Sequence, residues 1–173
     1  MKKTLEILNN LVSEKIIDGY AIGGAVAAIY YTEPAETGDL DVFITFPQDQ
    51  LIVSPEKIYS ALAKKGYSTF EKEGIIIEGL PVQFLPAAKP LLLEAYQNAI
   101  SKTIAGIETK VIGFEHLAVI MLDTNRPKDK IRLSQFVVSP KLDRAKFENI
   151  LKRHNLFQKW EQFQIKYLDD PEI

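Results

Sequence analysis

One hundred and seventy-three residues without a cysteine exclude disulfide frameworks, thiol nucleophiles, zinc ribbons and iron–sulfur clusters. The composition, 46% hydrophobic and 25% charged, is that of a globular chain. No apolar run reaches the roughly 18 residues of a membrane helix, and MKKTLEILNN carries no apolar stretch behind its lysines, so a cytoplasmic protein is expected. The net charge of −2 conceals a split: residues 1–86 carry 7 Lys against 12 acids, and residues 87–173 carry 10 Lys and 4 Arg against 11 acids.

In chain order, residues 4–17 bring Leu5, Leu8, Leu11, Val12 and Ile16 onto one stripe and predict an amphipathic helix. YAIGGAVAAIYY follows: a short apolar run, a glycine pair, then an apolar stretch of helical length. Residues 39–46 (DLDVFITF) predict a strand closed by Pro47. Ser54-Pro55-Glu56 predicts a helix start that runs to Lys65 and stops at Gly66. Strands are expected at Tyr67–Phe70, at Gly74–Glu78 and, after a Gly79-Leu80 turn, at Pro81–Leu85.

Beyond Pro86 the pattern becomes mostly helical. Helices are expected over 90–101, 114–123, 129–137, 140–153 and 155–167, the last two opened by Ser139-Pro140 and Asn155. A hairpin split by Gly106 covers 102–112. The fold class is therefore mixed α/β (α+β), with a core over residues 1–112 and a helical C-terminal region over 113–173 packed on it.

The chemistry concentrates in Gly23-Gly24 and Asp39-Leu40-Asp41. Residues i and i+2 of a strand share a face, so Asp39 and Asp41 lie side by side while Leu40 and Val42 turn to the core. Two neighbouring carboxylates repel unless a cation lies between them. Mg²⁺ suits such a pair, because it takes one or two protein carboxylates and completes its shell with water and phosphate oxygens. A strand, a glycine turn and a helix start also leave backbone N–H groups where phosphate binds. The plainer readings are a polar strand end and a tight turn.

Together, AIGGAVAAIYY…TGDLDVFI resembles the first motif of the polymerase-β-type nucleotidyltransferase superfamily, with Thr37 where the minimal and abortive-infection toxin-type members carry a threonine. GLPVQFLPA resembles the strand that carries the third acid, and GFEHLAVIMLDTNRPKDKIRL the later helical block. The resemblance covers residues 20–135. It implies a nucleotidyltransferase-type mixed sheet flanked by helices. It implies Asp39 and Asp41 as catalytic Mg²⁺ (or Mn²⁺) ligands, and Gly23, Gly24, Thr37, Arg126 and Lys128 around an NTP. The reaction implied is transfer of a nucleoside monophosphate to a hydroxyl on RNA, a protein or a small molecule. The partners implied are the NTP with RNA or a partner protein, no membrane, and a role in a toxin–antitoxin system.

The chain departs from that pattern where the third acid belongs, at Gln83, which is neutral and takes no proton. Glu78, across the turn, is the substitute to examine. Met121 replaces a lysine and Ala35 an arginine, while Arg126, Lys128 and Asp129 match and Arg132 adds a cation. Two other readings stay open: a nucleotidyltransferase-fold binding module without turnover, and an interaction protein in which both motifs are coincidental. His116 is expected to be a packed or capping residue. Phe157, Trp160, Phe163 and Tyr167 recur at helical spacing and predict core or a homodimer face. Lys141, Arg144, Lys152 and Arg153 predict a solvated helix face rather than an RNA site.

Overall fold

The computed structural model describes residues 1–29, 31, 38–46 and 55–168. A mixed sheet of seven strands is formed by β1 (Gly19–Ile22), β2 (Leu40–Thr45), β3 (Phe70–Glu71), β4 (Gly74–Ile77), β5 (Leu80–Pro86), β6 (Ile100–Ile104) and β7 (Ile107–Val111). Their order is β3-β4-β5-β2-β1-β7-β6. The central β2 runs parallel to β5 and antiparallel to β1, and β1 runs parallel to β7. Hairpins β3-β4 and β6-β7 form the two edges. Eight helices accompany the sheet among the described residues: α1 (Lys2–Ser13), α2 (Gly24–Ala28), α3 (Glu56–Lys64), α4 (Pro90–Gln97), α5 (Phe114–Thr124), α6 (Pro127–Val137), α7 (Arg144–Arg153) and α8 (Phe157–Tyr167). This is a mixed sheet flanked by helices, as the family resemblance implies. Among the described residues no helix is long and apolar enough to cross a membrane.

α5 is the pivot of the helical half. Residues Phe114–Val119 of it are buried without interruption, so it lies inside the protein. The Phe114 ring stacks on Phe136 of α6 at 4.4 Å and meets Tyr31 edge-on at 5.2 Å. Trp160 and Phe163 of α8 are buried and stack on each other, and Phe147 of α7 meets Trp160 edge-on. That aromatic stripe is core, with only Tyr167 exposed at its end.

Several boundaries differ from the sequence prediction, each for a local reason. The first helix ends at Ser13 because Lys15 is left-handed (φ 56°) and Ile16 and Ile17 both donate to Leu11 O. The strand expected over 67–70 shrinks to Phe70–Glu71, since Tyr67 N instead closes α3 on Leu62 O. α4 stops at Gln97 because Ile100 pairs with Val111 and joins the edge hairpin. Asp143, not Ser139-Pro140, caps α7: its side chain accepts from Lys146 N at 3.0 Å. Asn155 is left-handed (φ 57°), a conformation asparagine tolerates, so it ends α7 and does not open α8. α3 begins on Pro55; Pro47 and Ser54 lie outside the described residues.

The helical tail is fastened by one carboxylate. Glu94 of α4 meets His116 Nε2 (3.2 Å), His154 Nε2 (2.7 Å) and the Arg153 guanidinium. A carboxylate only accepts, so both histidines carry a proton on Nε2. His116 is the packed residue expected of it, 2% exposed. Arg153 and the two imidazoles hold the Glu94 carboxyl down at about 2. Burial holds His116 below the usual histidine range. Both shifts have the same sign. The folded chain resists protons that the unfolded chain accepts, so stability falls as pH drops through the histidine range and again from the carboxylate range toward pH 2. Urea denaturation against pH is expected to show this acid limb. Glu94→Gln is expected to cost about 1–3 kcal/mol at neutral pH and to flatten the lower part of the limb.

Candidate active site

The site forms where β2 begins and β1 ends, at the middle of the sheet. Leu40 and Val42 are fully buried on one face of β2 and Asp41 lies on the other; Asp39, the residue before β2, is near enough for its charge to act on Asp41. Gly23 N donates to Asp41 O at 2.9 Å, which ties the glycine turn to the aspartate strand. The structure explains both glycines. A Cβ on Gly23 would lie 2.1 Å from Phe43 Cε2, and one on Gly24 would lie 1.8 Å from Asp41 Oδ2. Gly24 is also left-handed, at φ 55°. Its backbone therefore rests directly on the Asp41 carboxylate. The helix that follows has only 5 residues, so what it offers an anion is a few local N–H groups and little macrodipole.

Burial raises the Asp41 pKa, and the neighbouring Asp39 charge raises it further. Arg126 and Lys128 oppose that rise, which places both cations within electrostatic reach of the carboxylate. Their position follows from one turn. Asn125 is left-handed and ends α5, and Arg126 is the N-cap of α6. Asp129, 2% exposed, then holds the guanidinium through Arg126 Nε (2.6 Å) and accepts from Thr124 Oγ1 (2.7 Å). Asp39, Glu73, Gln83, Arg126, Lys128 and Arg132 line one cleft of about 440 Å³. Much of the remaining basic segment is neutralised within the chain: Lys146 pairs with Glu115, Lys152 with Glu148 and Arg153 with Glu94. Lys141 Nζ donates to Tyr31 O.

Gln83 pairs in register with Asp41 across the parallel β2-β5 ladder, so the neutral residue occupies the strand position beside the inner aspartate. Its Nε2 donates to Glu73 Oε2 at 2.6 Å. Glu78 does not reach this site: it accepts from Tyr67 and pairs with Lys3. The hairpin β3-β4 brings Glu71 and Glu73 to the cleft, and Glu73, in the turn of that hairpin, is the one that meets Gln83. No periodicity singles out a charged turn such as Lys72-Glu73-Gly74, so sequence reasoning missed it. Thr37 and Ala35 lie outside the described residues. Among the described residues, no group of three or more His, Asp or Glu side chains is placed to hold a metal ion. At the start of β2 the carboxylates are those of Asp39 and Asp41.

A scan against sequence-family models and a search of curated protein sequences find no match. Among solved structures the chain is similar to an antigenic nucleotidyltransferase-like protein from Paracoccidioides brasiliensis, with a TM-score of 0.55 and 16% identity over 91% of this chain and 92% of that one. It also aligns with ANT(2'')-Ia in complex with adenylyl-2''-tobramycin, at a TM-score of 0.46 and 15% identity, covering 96% and 99% of the two chains. The first likeness shows that the chain has a nucleotidyltransferase-type fold.

Gly24→Ala tests the packing at the strand end. Left-handed strain alone is expected to cost roughly 1–2 kcal/mol, seen as a lower urea midpoint, with a further loss from displacing Asp41. A midpoint equal to wild type would show that the Gly24–Asp41 contact is loose.

Proposed function

We propose that this chain is a nucleotidyltransferase that uses an NTP with Mg²⁺ or Mn²⁺ to pass a nucleoside monophosphate to an acceptor hydroxyl. The observation that carries the reading is the partly buried Asp41 packed on Gly24, under the charge of Asp39 and within electrostatic reach of Arg126 and Lys128, with Asp39, Arg126 and Lys128 lining one cleft. A divalent cation fits this donor set, because a second carboxylate and burial both disfavour charge on Asp41 and a cation reverses that. Asp39 and Asp41 would hold it, and when bound it supplies Lewis-acid stabilisation of charge on the phosphate oxygens.

In the reaction proposed, the acceptor oxygen bonds to the α-phosphorus and the bond from that phosphorus to the bridging oxygen breaks. Pyrophosphate leaves with the electron pair. Arg126, Lys128 and Arg132 neutralise the phosphate oxygens. Gln83 takes no proton, so Glu73, held on the Gln83 amide, is the carboxylate offered for the acceptor proton. Gly23, Gly24 and Thr37 complete the nucleotide contacts in this reading. An RNA or protein acceptor and a toxin–antitoxin role rest on the first-motif resemblance.

A second reading, a binding module that holds nucleotide without turnover, is favoured by Gln83 beside Asp41 and by Met121 in place of a cation. Incubation with α-labelled ATP, CTP, GTP and UTP, Mg²⁺ and total RNA separates the two. Labelled product that disappears in Asp41→Ala supports transfer. Nucleotide binding without product in wild type, with product appearing in Gln83→Asp, supports the binding module.

Stability gives a check independent of turnover. The raised Asp41 pKa means that its charge destabilises the fold as pH rises through that pKa. Asp41→Asn is therefore expected to raise the urea midpoint at neutral pH without metal. Mg²⁺ is expected to raise the wild-type midpoint and leave the Asp41→Asn midpoint where it is.

A further inference from the structure

A second space adjoins Asp41. An apolar recess of about 240 Å³ is walled by Phe43, Leu85, Leu92, Leu117, Ile120 and Met121, and shares Gln83, Arg126 and Arg132 with the basic cleft. Its chemistry changes within one step of the sheet. Asp41 and Gln83 sit level on neighbouring parallel strands, and two residues on, about 7 Å along, Phe43 and Leu85 sit level on the same face. α5 covers them with Leu117, Ile120 and Met121, spaced three and four apart and so on one side of the helix.

Resting on the nucleotidyltransferase reading, we propose that this recess receives the nucleobase of the NTP whose phosphates lie in the basic cleft. Two adjoining volumes of opposite chemistry call for one ligand that joins a charged chain to an apolar ring. A lysine at 121 would carry charge into the recess; Met121 leaves a soft, adaptable wall of the kind that packs on flat rings. The recess lies below the ~300–1,000 Å³ of pockets that enclose a whole drug-sized ligand, and so suits a ring system alone. Its apolar walls meet a polar side formed by Asp41, Gln83, Thr124, Arg126, Asp129 and Arg132. Selection by the apolar walls is by contact area. A purine is favoured over a pyrimidine, because it buries the larger apolar surface.

Calorimetry on the full chain with Mg²⁺ tests this without requiring turnover, using inorganic tripolyphosphate, ATP and CTP as probes. Wild type is expected to bind ATP about tenfold more tightly than CTP or tripolyphosphate. Ile120→Trp plugs the recess from α5 and Leu92→Trp from α4; both positions are half-buried, so the added ring has an open side. In whichever variant folds, ATP affinity is expected to fall to the level of tripolyphosphate, with tripolyphosphate unchanged. An ATP advantage that survives both plugs, or equal binding of ATP and tripolyphosphate in wild type, overturns the base-site assignment and leaves the nucleotide reading standing. Failure of both ATP and tripolyphosphate to bind overturns the nucleotidyltransferase reading, and this assignment with it.

Discussion

A carboxylate pressed against backbone and partly shielded from water is expensive unless positive charge stands near it. Asp41 is in that position, with Gly24 beneath it, Asp39 beside it and β5 at its flank. Much of the surrounding architecture answers that constraint. The glycine turn has no side chains because the carboxylate and the Phe43 ring occupy their places. The turn after α5 delivers Arg126 and Lys128 from the opposite end of the chain, and the buried Asp129 fixes the guanidinium so that its direction is set in advance.

The acidic front and basic back of the chain meet in two ways. At the cleft, cations face the aspartates. Elsewhere the basic helices are bound to the chain's own acids, above all at Glu94, where α4, the buried α5 and the end of α7 converge on one carboxylate. Pairing of this kind neutralises Lys146, Lys152, Arg153 and Lys159, while Arg126, Lys128 and Arg132 line the cleft.

Much of the fold was legible because its signals are local. Strand alternation in DLDVFIT, the glycine stops after α3 and in the hairpins, and the apolar length of α5 each report on a few neighbouring residues. The misread boundaries were settled by partners distant in sequence or by a competing local cue. Ile100 is a strand residue only because β7 pairs with it. Asn155 and Ser139 look like helix starts until one is seen to be left-handed and the other to be displaced by Asp143. At the site, Asp39, Asp41, Gly23 and Gly24 were nameable from residue type and spacing, and Arg126 and Lys128 from the family resemblance. Glu73 was not, since only the pairing of β4 with β5 sets it beside Gln83. Glu78 looked equally eligible until its partners proved to be Tyr67 and Lys3.

The amino-acid sequence by itself determined that the oxygen donors of the first motif are carboxylates, because residue type suffices for that; the third-acid position, filled by Gln83, was read from the family resemblance. With no cysteine and only 2 histidines in the chain, carboxylates were left as the donors, and the period of two predicted Asp39 and Asp41 on one face. Only the tertiary structure decided which distant groups meet that pair. Charge on Asp41, the direction of Arg126, the hold of Gln83 on Glu73 and the apolar recess under Met121 all depend on distances through space, which no spacing along the chain encodes.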